Sequence, residues 1–391
     1  MRPAEGGEGR KTMVGIISKP DTQEKLEILS ADSQYDLACA CGTSCDEHRK
    51  RGGDGKWIYP VTLPSGGTSI LFKTLLSNVC TNDCKYCPLR EQMDVRRCSL
   101  TPAETAKVFL EYYNQRKVFG LFLSSGVIGS PDATMDRLNG VARLLRNKHR
   151  FRGYIHLKII PGAGDAAVEE AISLASAVSL NIETPGEKAL AKLSQKKRYI
   201  RDIIEPIKLI SRLTGRGSRY EKVKQTTQFI VGAAGEQDAE IVKYMYGLYN
   251  RLSLHRVYFS AYQKGLGESS IAGERVEPDA VADALMREHR LYQVDFLLRK
   301  YGFAESDVVF EENGNLSLAV DPKEAWARKH PEYYPVDINL ASRSDLLRVP
   351  GLGPVTIKQI LDRRRQSHIQ SIEDVGKVGV RLGKAVNYLS F

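Results

Sequence analysis

Between residues 71 and 262, short apolar runs alternate with longer stretches of helical period, the pattern of repeated β-α units. Residues 71–78 read as a first strand that ends at a cysteine-bearing loop. Residues 101–118 follow as a helix: Thr101 can cap it, Pro102 suits its first position, and Glu104 lies three residues after the cap. Leu121, Phe122 and Leu123 form a second strand, and Ser130, Pro131 and Asp132 open a helix that runs to residue 148. Further strands are expected at 154–160, 178–183, 226–232 and 256–262, with helices at 165–175 and 236–252 and a basic helical excursion over 187–221. Six units with the run stopping there predict an α/β fold, a partial (β/α)6 barrel rather than a closed eightfold one.

The flanks change character. Residues 1–21 are expected to be a flexible N-terminus, polar and glycine-rich over 1–13, and 22–65 form an N-terminal extension with a short helix at 22–30 and a first cysteine group. The barrel is assigned to 66–262. Residues 263–334 make a helical extension: a Gly/Ser-rich loop at 264–274, a long amphipathic helix at 278–301, and a proline-bounded linker at 321–334 carrying Trp326. Residues 335–391 read as a separate all-α unit.

Composition narrows the classes. Of 391 residues 42% are hydrophobic and 27% charged, which excludes collagenous and wholly disordered chains. No apolar stretch approaches the roughly 20 residues of a membrane helix, and residues 1–13 lack the apolar core of a secretory signal, so no membrane role and a cytoplasmic location are expected. The net charge of +10 favours a polyanionic partner.

Seven cysteines fall in short clusters: Cys39, Cys41 and Cys45, then Cys80, Cys84, Cys87 and Cys98. An odd number without an export signal argues for metal over disulfides. Cys80, Cys84 and Cys87 have C-x3-C-x2-C spacing, which brings three thiolates within reach of one small inorganic cluster. Three ligands for four irons leave one iron open to a co-substrate. A zinc site or a closed four-cysteine cluster would need a fourth ligand, and Cys98 is available. The first group admits a second metal site, a flap over the barrel mouth, or a loop with incidental thiols.

The triad after a first strand, followed by five more β-α units, resembles the radical S-adenosylmethionine (SAM) superfamily. That resemblance implies a [4Fe-4S] cluster on Cys80, Cys84 and Cys87, SAM chelated to the unique iron, and a deoxyadenosyl radical that takes hydrogen from substrate. It implies that Tyr86, just before the third cysteine, lies near the adenine. Ser124, Ser125 and Gly126 occupy the place where the superfamily often has a Gly-Gly-Glu type loop for the SAM amino group. The acidic residue is missing, so hydroxyls and carbonyls would serve. Strand alternation puts Ser179, Asn181 and Glu183 on one face, toward the ribose. Lys158, on one face of its strand with His156, is a candidate for the SAM carboxylate. Gln228 and the following Gly232 to Gly235 are candidates for the methionyl or adenine part.

At the C-terminus, a short helix at 342–348, a turn through Pro350, Gly351, Leu352 and Gly353, and a helix at 354–365 resemble the helix-hairpin-helix family. Its hairpin amides hold DNA phosphates without reading sequence. A weaker second copy surrounds Gly376 and Gly379. Residues 337–391 carry nine basic residues, Lys358 among them, against five acidic ones.

With Asp36 to Cys39, Phe122 to Ile128, Gly153 to Lys158 and Arg287 to Gln293, the chain resembles a family of radical SAM proteins of DNA modification or repair, linked by gene neighbourhood to a uracil-DNA glycosylase-like partner. The expectation is therefore a radical SAM enzyme acting on DNA or another nucleic acid, with an electron donor such as flavodoxin or ferredoxin. The alternatives are radical SAM chemistry on RNA or a small molecule with the hairpins as a tether, and a non-catalytic nucleic-acid binder with a structural cluster or zinc.

Overall fold

A computed structural model describes residues 20–35, 57–62, 67–276 and 281–391. Cys39, Cys41 and Cys45 lie outside them. After α1 (Thr22–Asp32), strands β1 (Ile58–Thr62) and β2 (Thr68–Leu75) lead into α2 (Pro102–Asn114), β3 (Gly120–Ser124), α3 (Pro131–Arg143), β4 (Tyr154–Lys158), α4 (Asp165–Leu174) and β5 (Ala177–Ser179). Then come α5 (Glu187–Leu193), α6 (Glu205–Thr214), β6 (Lys224–Val231), α7 (Asp238–Leu252) and β7 (Arg256–Ala261). One curled sheet holds the seven strands in chain order, with β2 to β7 parallel. The six expected β-α strands are present, and β1 is an addition: it pairs antiparallel with β2, and its Pro60 is tolerated because the strand lies at the sheet edge.

The helices start where their capping chemistry permits. Thr101 accepts the Glu104 amide while Glu104 accepts the Thr101 amide, closing a capping box on α2. Phe72, Leu121, Leu123, Ile155, Leu157, Val178, Phe229 and Phe259 are fully buried in one large core cluster. Two strands end elsewhere than expected. β2 lies three residues nearer the N-terminus than 71–78: the Leu76 amide makes the last ladder bond, to the Ser124 carbonyl, and Ser77 then bridges Ser99 instead. β5 is only three residues long rather than 178–183, because the Thr227 hydroxyl takes the Ile182 amide and the chain bends at Glu183, whose φ is +65°.

At the other edge α8 (Val281–Lys300) does the work of a further strand. The Tyr292 hydroxyl accepts the Phe259 amide at 3.0 Å and donates to the Phe259 carbonyl at 2.9 Å, and Glu288 accepts the Ala261 amide at 2.6 Å. The β7 edge is thereby satisfied without a partner strand.

The expected linker at 321–334 contains a helix, α9 (Pro322–Lys329), capped by Asp321. Beyond it stand β8 (Val336–Asp337), α10 (Arg343–Arg348), α11 (Pro354–Arg363), α12 (Val380–Val386) and β9 (Leu389–Ser390). A separate core of Ile338, Leu346, Val349, Ile357, Ile360, Ile369 and Ala385 holds them, and β8 pairs with β9 to tie the two ends. Among the described residues no helix is long and apolar enough to cross a membrane.

Candidate functional site

The cysteine loop leaves β2 at its C-terminal end, the end at which parallel barrels gather their chemistry. Three ties fix its shape. Arg97 donates to the carbonyls of Asn78, Leu89, Arg90 and Met93 at 2.5 to 3.0 Å, closing the loop on itself. Asp83 accepts the Ser194 hydroxyl and the Gln195 amide, at 2.5 and 2.8 Å, and the Lys85 amide reaches the Leu193 carbonyl. The third tie is steric: a Cβ on Gly126 would stand 2.4 Å from the Val79 carbonyl oxygen and 3.2 Å from Cys80 Cβ. Only glycine lets the loop after β3 come that close.

Cys80, Cys84 and Cys87 are free thiols, and all three line one cavity of about 170 Å3. They do not converge on a point: among the described residues no three His, Cys, Asp or Glu side chains are grouped to hold a single metal ion. Ligands to separate irons of one cluster need no such convergence. Burial pushes the Cys84 thiol up, with Lys197 pulling the other way, and burial with the nearby Cys84 pushes Cys87 up to about 12. Metal binding here must therefore release protons from both. Cys98 does not line this cavity. It packs with Leu29, Leu75, Leu89 and Leu100.

Around the thiols the structure gathers Tyr86, Ser124, Ser125, Gly126, Lys158, Asn181, Glu183 and Gln228 from the expected set. Ser179 is not among them. Its hydroxyl lies 2.9 Å from His156 Nε2 in the buried strand layer, because β5 ends there and the alternation expected to carry it beside Asn181 and Glu183 stops with it. Glu183 instead reaches the cavity by its left-handed backbone, pinned on both sides by β6: its amide donates to Gln228 and its carbonyl accepts Ile230. A non-glycine residue in that region is strained and is found at functional sites. Two of the amides after β6 are also taken, since the Glu236 carboxylate accepts those of Gly232 and Ala234, so these two are not offered to a ligand.

Lys197 is a residue the sequence reading missed. It is nearly buried, 3.5 Å from Glu183 and 3.3 Å from the Tyr86 hydroxyl, with its ammonium over the Tyr86 ring. Burial disfavours its charge, but Cys84 and Glu183 outweigh that and hold the ammonium above its ordinary range. Burial, then Cys84 and Glu183, raise the Tyr86 phenol well above its usual value. No local signal marked Lys197 out among the neighbouring lysines of residues 187–221.

The C-terminal candidates fall in two turns. Pro350, Gly351, Leu352 and Gly353 link α10 to α11, which carries Lys358, and Gly376 and Gly379 precede α12. Gly351 has φ +85°, and a Cβ there would lie 2.1 Å from the Arg381 carbonyl oxygen. The first turn thus packs against α12. Neither α11 nor α12 has a side-chain cap, because glycine stands at both cap positions.

A curled sheet with six parallel strands and a thiol-bearing loop at its C-terminal end defines a partial parallel α/β barrel with a thiol-lined mouth. Residues 74–245 match the model of the Radical SAM superfamily. The chain carries a domain of that superfamily of enzymes, whose cofactors are a [4Fe-4S] cluster and SAM. Three free thiols, a glycine cradle, and flanking carboxylate and ammonium groups suit such a pair. No curated protein matches the chain. Among solved structures it is similar to the FeFe-hydrogenase maturase HydG from Carboxydothermus hydrogenoformans, at 16% identity over 57% of this chain and 52% of that one, TM-score 0.42. It is similar to methylornithine synthase (PylB), at 12% identity over 59% and 62%, TM-score 0.45. The radical SAM methyltransferase TsrM from Kitasatospora setae gives 15% identity over 49% and 37%, TM-score 0.39. The chain spans about half the length of HydG and less than two thirds of the other two.

Proposed function

We propose that the protein is a radical SAM enzyme acting on nucleic acid, DNA above all, in base or sugar modification or repair. The observation that carries this reading is one chain holding both a three-thiol cavity at the strand ends and a C-terminal pair of uncapped, glycine-turned helices. A [4Fe-4S] cluster held by Cys80, Cys84 and Cys87, with SAM beside it, would supply the radical hydrogen-abstraction chemistry at this cavity.

The chain's own residues supply the rest. Cys80, Cys84 and Cys87 hold the cluster. Lys197 and Lys158 offer charge to a carboxylate, and Glu183, flanked by Asn181 and Lys197, offers acceptors to an ammonium or to ribose hydroxyls. Tyr86 and Gln228 flank the adenine side. Leu75, Ile160 and Leu180 keep water from the mouth. A small pocket of about 60 Å3 adjoins this cavity and shares Tyr86, Cys87, Gln228 and Ile230 with it. Ala261, Tyr262, Gln263 and Leu266 separate it from a neighbouring hollow of about 670 Å3, where a substrate group could be received.

The amides around Gly351, Gly353, Gly376 and Gly379, with Lys358 nearby, would hold backbone phosphates and tether the strand. A flavodoxin or ferredoxin would deliver the electron, and a uracil-DNA glycosylase-like protein would act on the same lesion.

The test is anaerobic incubation of reconstituted full-length protein with SAM, dithionite and defined damaged and undamaged oligonucleotides. The expected result is 5′-deoxyadenosine from the wild type and none from Cys84→Ala, with a mass change in one oligonucleotide digest. A cluster-loaded wild type that makes no 5′-deoxyadenosine would overturn the enzyme reading. Abundant 5′-deoxyadenosine with every DNA unaltered would move the substrate to RNA or a small molecule.

A further inference from the structure

A separate cavity, of about 560 Å3, lies between α8, α9, the first C-terminal turn and α12, and no residue of the cysteine loop lines it. While Glu288 and Tyr292 of α8 hold the sheet edge, His289, Arg290 and Phe296 of the same helix line this cavity. Lys323 of α9 and Arg381 and Lys384 of α12 complete its charged wall, and Asp321 is the one acid in the lining.

These cations are unevenly compensated. Arg290 is 8% exposed and spends its guanidinium on neutral acceptors, the Ser317 and Leu318 carbonyls at 3.1 and 2.7 Å and Gln293 at 2.9 Å. Lys323 is 7% exposed and donates to the Leu352 carbonyl at 2.7 Å, under the Tyr301 ring. Burial pulls its ammonium down to about 7, with Asp321 acting the other way. Asp321 is itself bonded to Lys384 at 3.0 Å, and Glu324 shares that lysine. Burial, then Arg290 and Arg381, depress His289 against a weaker pull from Glu288. Lys384 is held by two carboxylates and burial weakens the Lys323 charge, so the charge the cleft offers an entering anion is chiefly that of Arg290 and Arg381, in a low-dielectric setting that strengthens the attraction. Beside this charge stands the ring of Phe296, 43% exposed and flanked by Arg256 and Arg299. Arg256 and Arg299 pair with Asp295 and do not line the cavity, whereas Phe296 does; cations beside a half-exposed aromatic ring can take a phosphate and a base together.

We infer that this cavity binds one nucleotide of a nucleic-acid strand, its phosphate on Arg290 and Arg381 beside His289 and its base on Phe296. The inference rests on the reading of the protein as a nucleic-acid enzyme and adds to it side-chain contacts beside the first hairpin turn, whose Gly351 and Gly353 also line the cavity. A strand held there is gripped between the barrel's covering helix and the C-terminal unit.

The test is fluorescence anisotropy of a fluorescein-labelled single-stranded DNA oligonucleotide and its duplex with full-length protein over a series of KCl concentrations. Arg381→Gln is expected to weaken single-strand binding about tenfold and to flatten the slope of log K against log salt by about 0.7, the value of one phosphate contact. Phe296→Leu is expected to weaken it fivefold or more, with the slope kept, since a stacked base is worth roughly 1–3 kcal/mol. His289→Gln supplies a second cavity variant, and Lys107→Gln, an exposed change on α2, is the charge control. Wild-type affinity in Arg381→Gln, His289→Gln and Phe296→Leu, with the wild type still binding, overturns the cavity inference and leaves the nucleic-acid reading standing. An equal loss in Lys107→Gln overturns it too, since the effect would then be general charge. A wild type that binds neither oligonucleotide ends both.

Discussion

Replacing Arg97 by methionine tests whether the cysteine loop is held by the fold or only by its metal. The guanidinium is half-buried and donates to four carbonyls that span the loop from Asn78 to Met93. A hydrogen bond from a charged donor is worth roughly 1.5–3 kcal/mol. Four such bonds do not add, because water replaces those nearest the surface. Counting two as irreplaceable gives about 3–6 kcal/mol lost in Arg97→Met. That is a large share of the roughly 5–15 kcal/mol that stabilises a domain. The main core contains no residue of this loop except a partly buried Cys80, so the loss should appear as local opening rather than global unfolding. The assay pairs iron and sulfide content per chain, after anaerobic reconstitution, with hydrogen exchange of the loop amides. Arg97→Met is expected to load less than half the wild-type iron and to exchange its loop amides tenfold faster or more, with the far-UV spectrum kept. Arg97→Lys should recover part of both, since an ammonium reaches fewer of the carbonyls at once. Full iron loading with wild-type exchange in Arg97→Met would refute the reasoning and leave the metal as the sole organiser of the loop.

Lys197→Met should keep its iron but weaken SAM binding to the cluster-loaded protein by tenfold or more, the equivalent of about 1.4 kcal/mol for one lost charged contact. Equilibrium dialysis measures this, and affinity within twofold of wild type would remove Lys197 from the SAM site. Glu104 predicts an acid-sensitive attachment of α1. Burial works to raise its carboxyl, but the Thr101 amide at 2.7 Å and the Lys25 ammonium at 2.9 Å prevail and hold it at about 2. The folded value lies below the unfolded one, so this stabilisation is present above about pH 4.5 and is lost as pH falls from there through about 2. Glu104→Gln should cost about 1–2 kcal/mol at neutral pH, from the cap and a partly exposed ion pair, and nothing at the acid end. Urea midpoints at the two extremes read the difference, and a constant offset would disprove the linkage.

The parallel strands were legible because a sheet covered by helices makes its strands into short apolar runs, as at Leu121 to Leu123 and Ile155 to Leu157. The thiol spacing was legible because a loop that wraps a cluster is local. β1 was not, since Pro60 and its half-exposed neighbours resemble a loop and only pairing with β2 makes them a strand. Arg97 and Lys197 gave no sign for a related reason. The Asp83 to Ser194 tie that brings the lysine's segment to the cysteine loop joins residues 111 positions apart, and no periodic pattern encodes such a distance.

The contrast between Ser179 and Glu183 shows where period-two reasoning loses its grip. Alternation holds only while ladder hydrogen bonds fix the backbone, and in β5 they stop at Ser179, which stays among the buried side chains beside His156. A ligand at the mouth of a parallel barrel meets residues past that point, where direction is set by whatever captures the next amides. Here β6 does so: the Thr227 hydroxyl takes Ile182, and Gln228 and Ile230 fix Glu183 in a backbone state that strand geometry forbids. Glu183 faces the thiols because of its neighbour strand. Shortening the Thr227 side chain should therefore disturb the mouth more than its position on β6 suggests. Thr227→Ala, which removes the hydroxyl at 2.9 Å from the Ile182 amide and 2.7 Å from the Leu180 carbonyl, is expected to leave the buried Ile182 amide unpaired at a cost of about 1–3 kcal/mol and to lower SAM affinity without touching a ligand. Thr227→Ser, which keeps the hydroxyl, should restore both, and a Thr227→Ala variant that binds SAM as the wild type does would show that the Gln228 and Ile230 bonds alone suffice to hold Glu183.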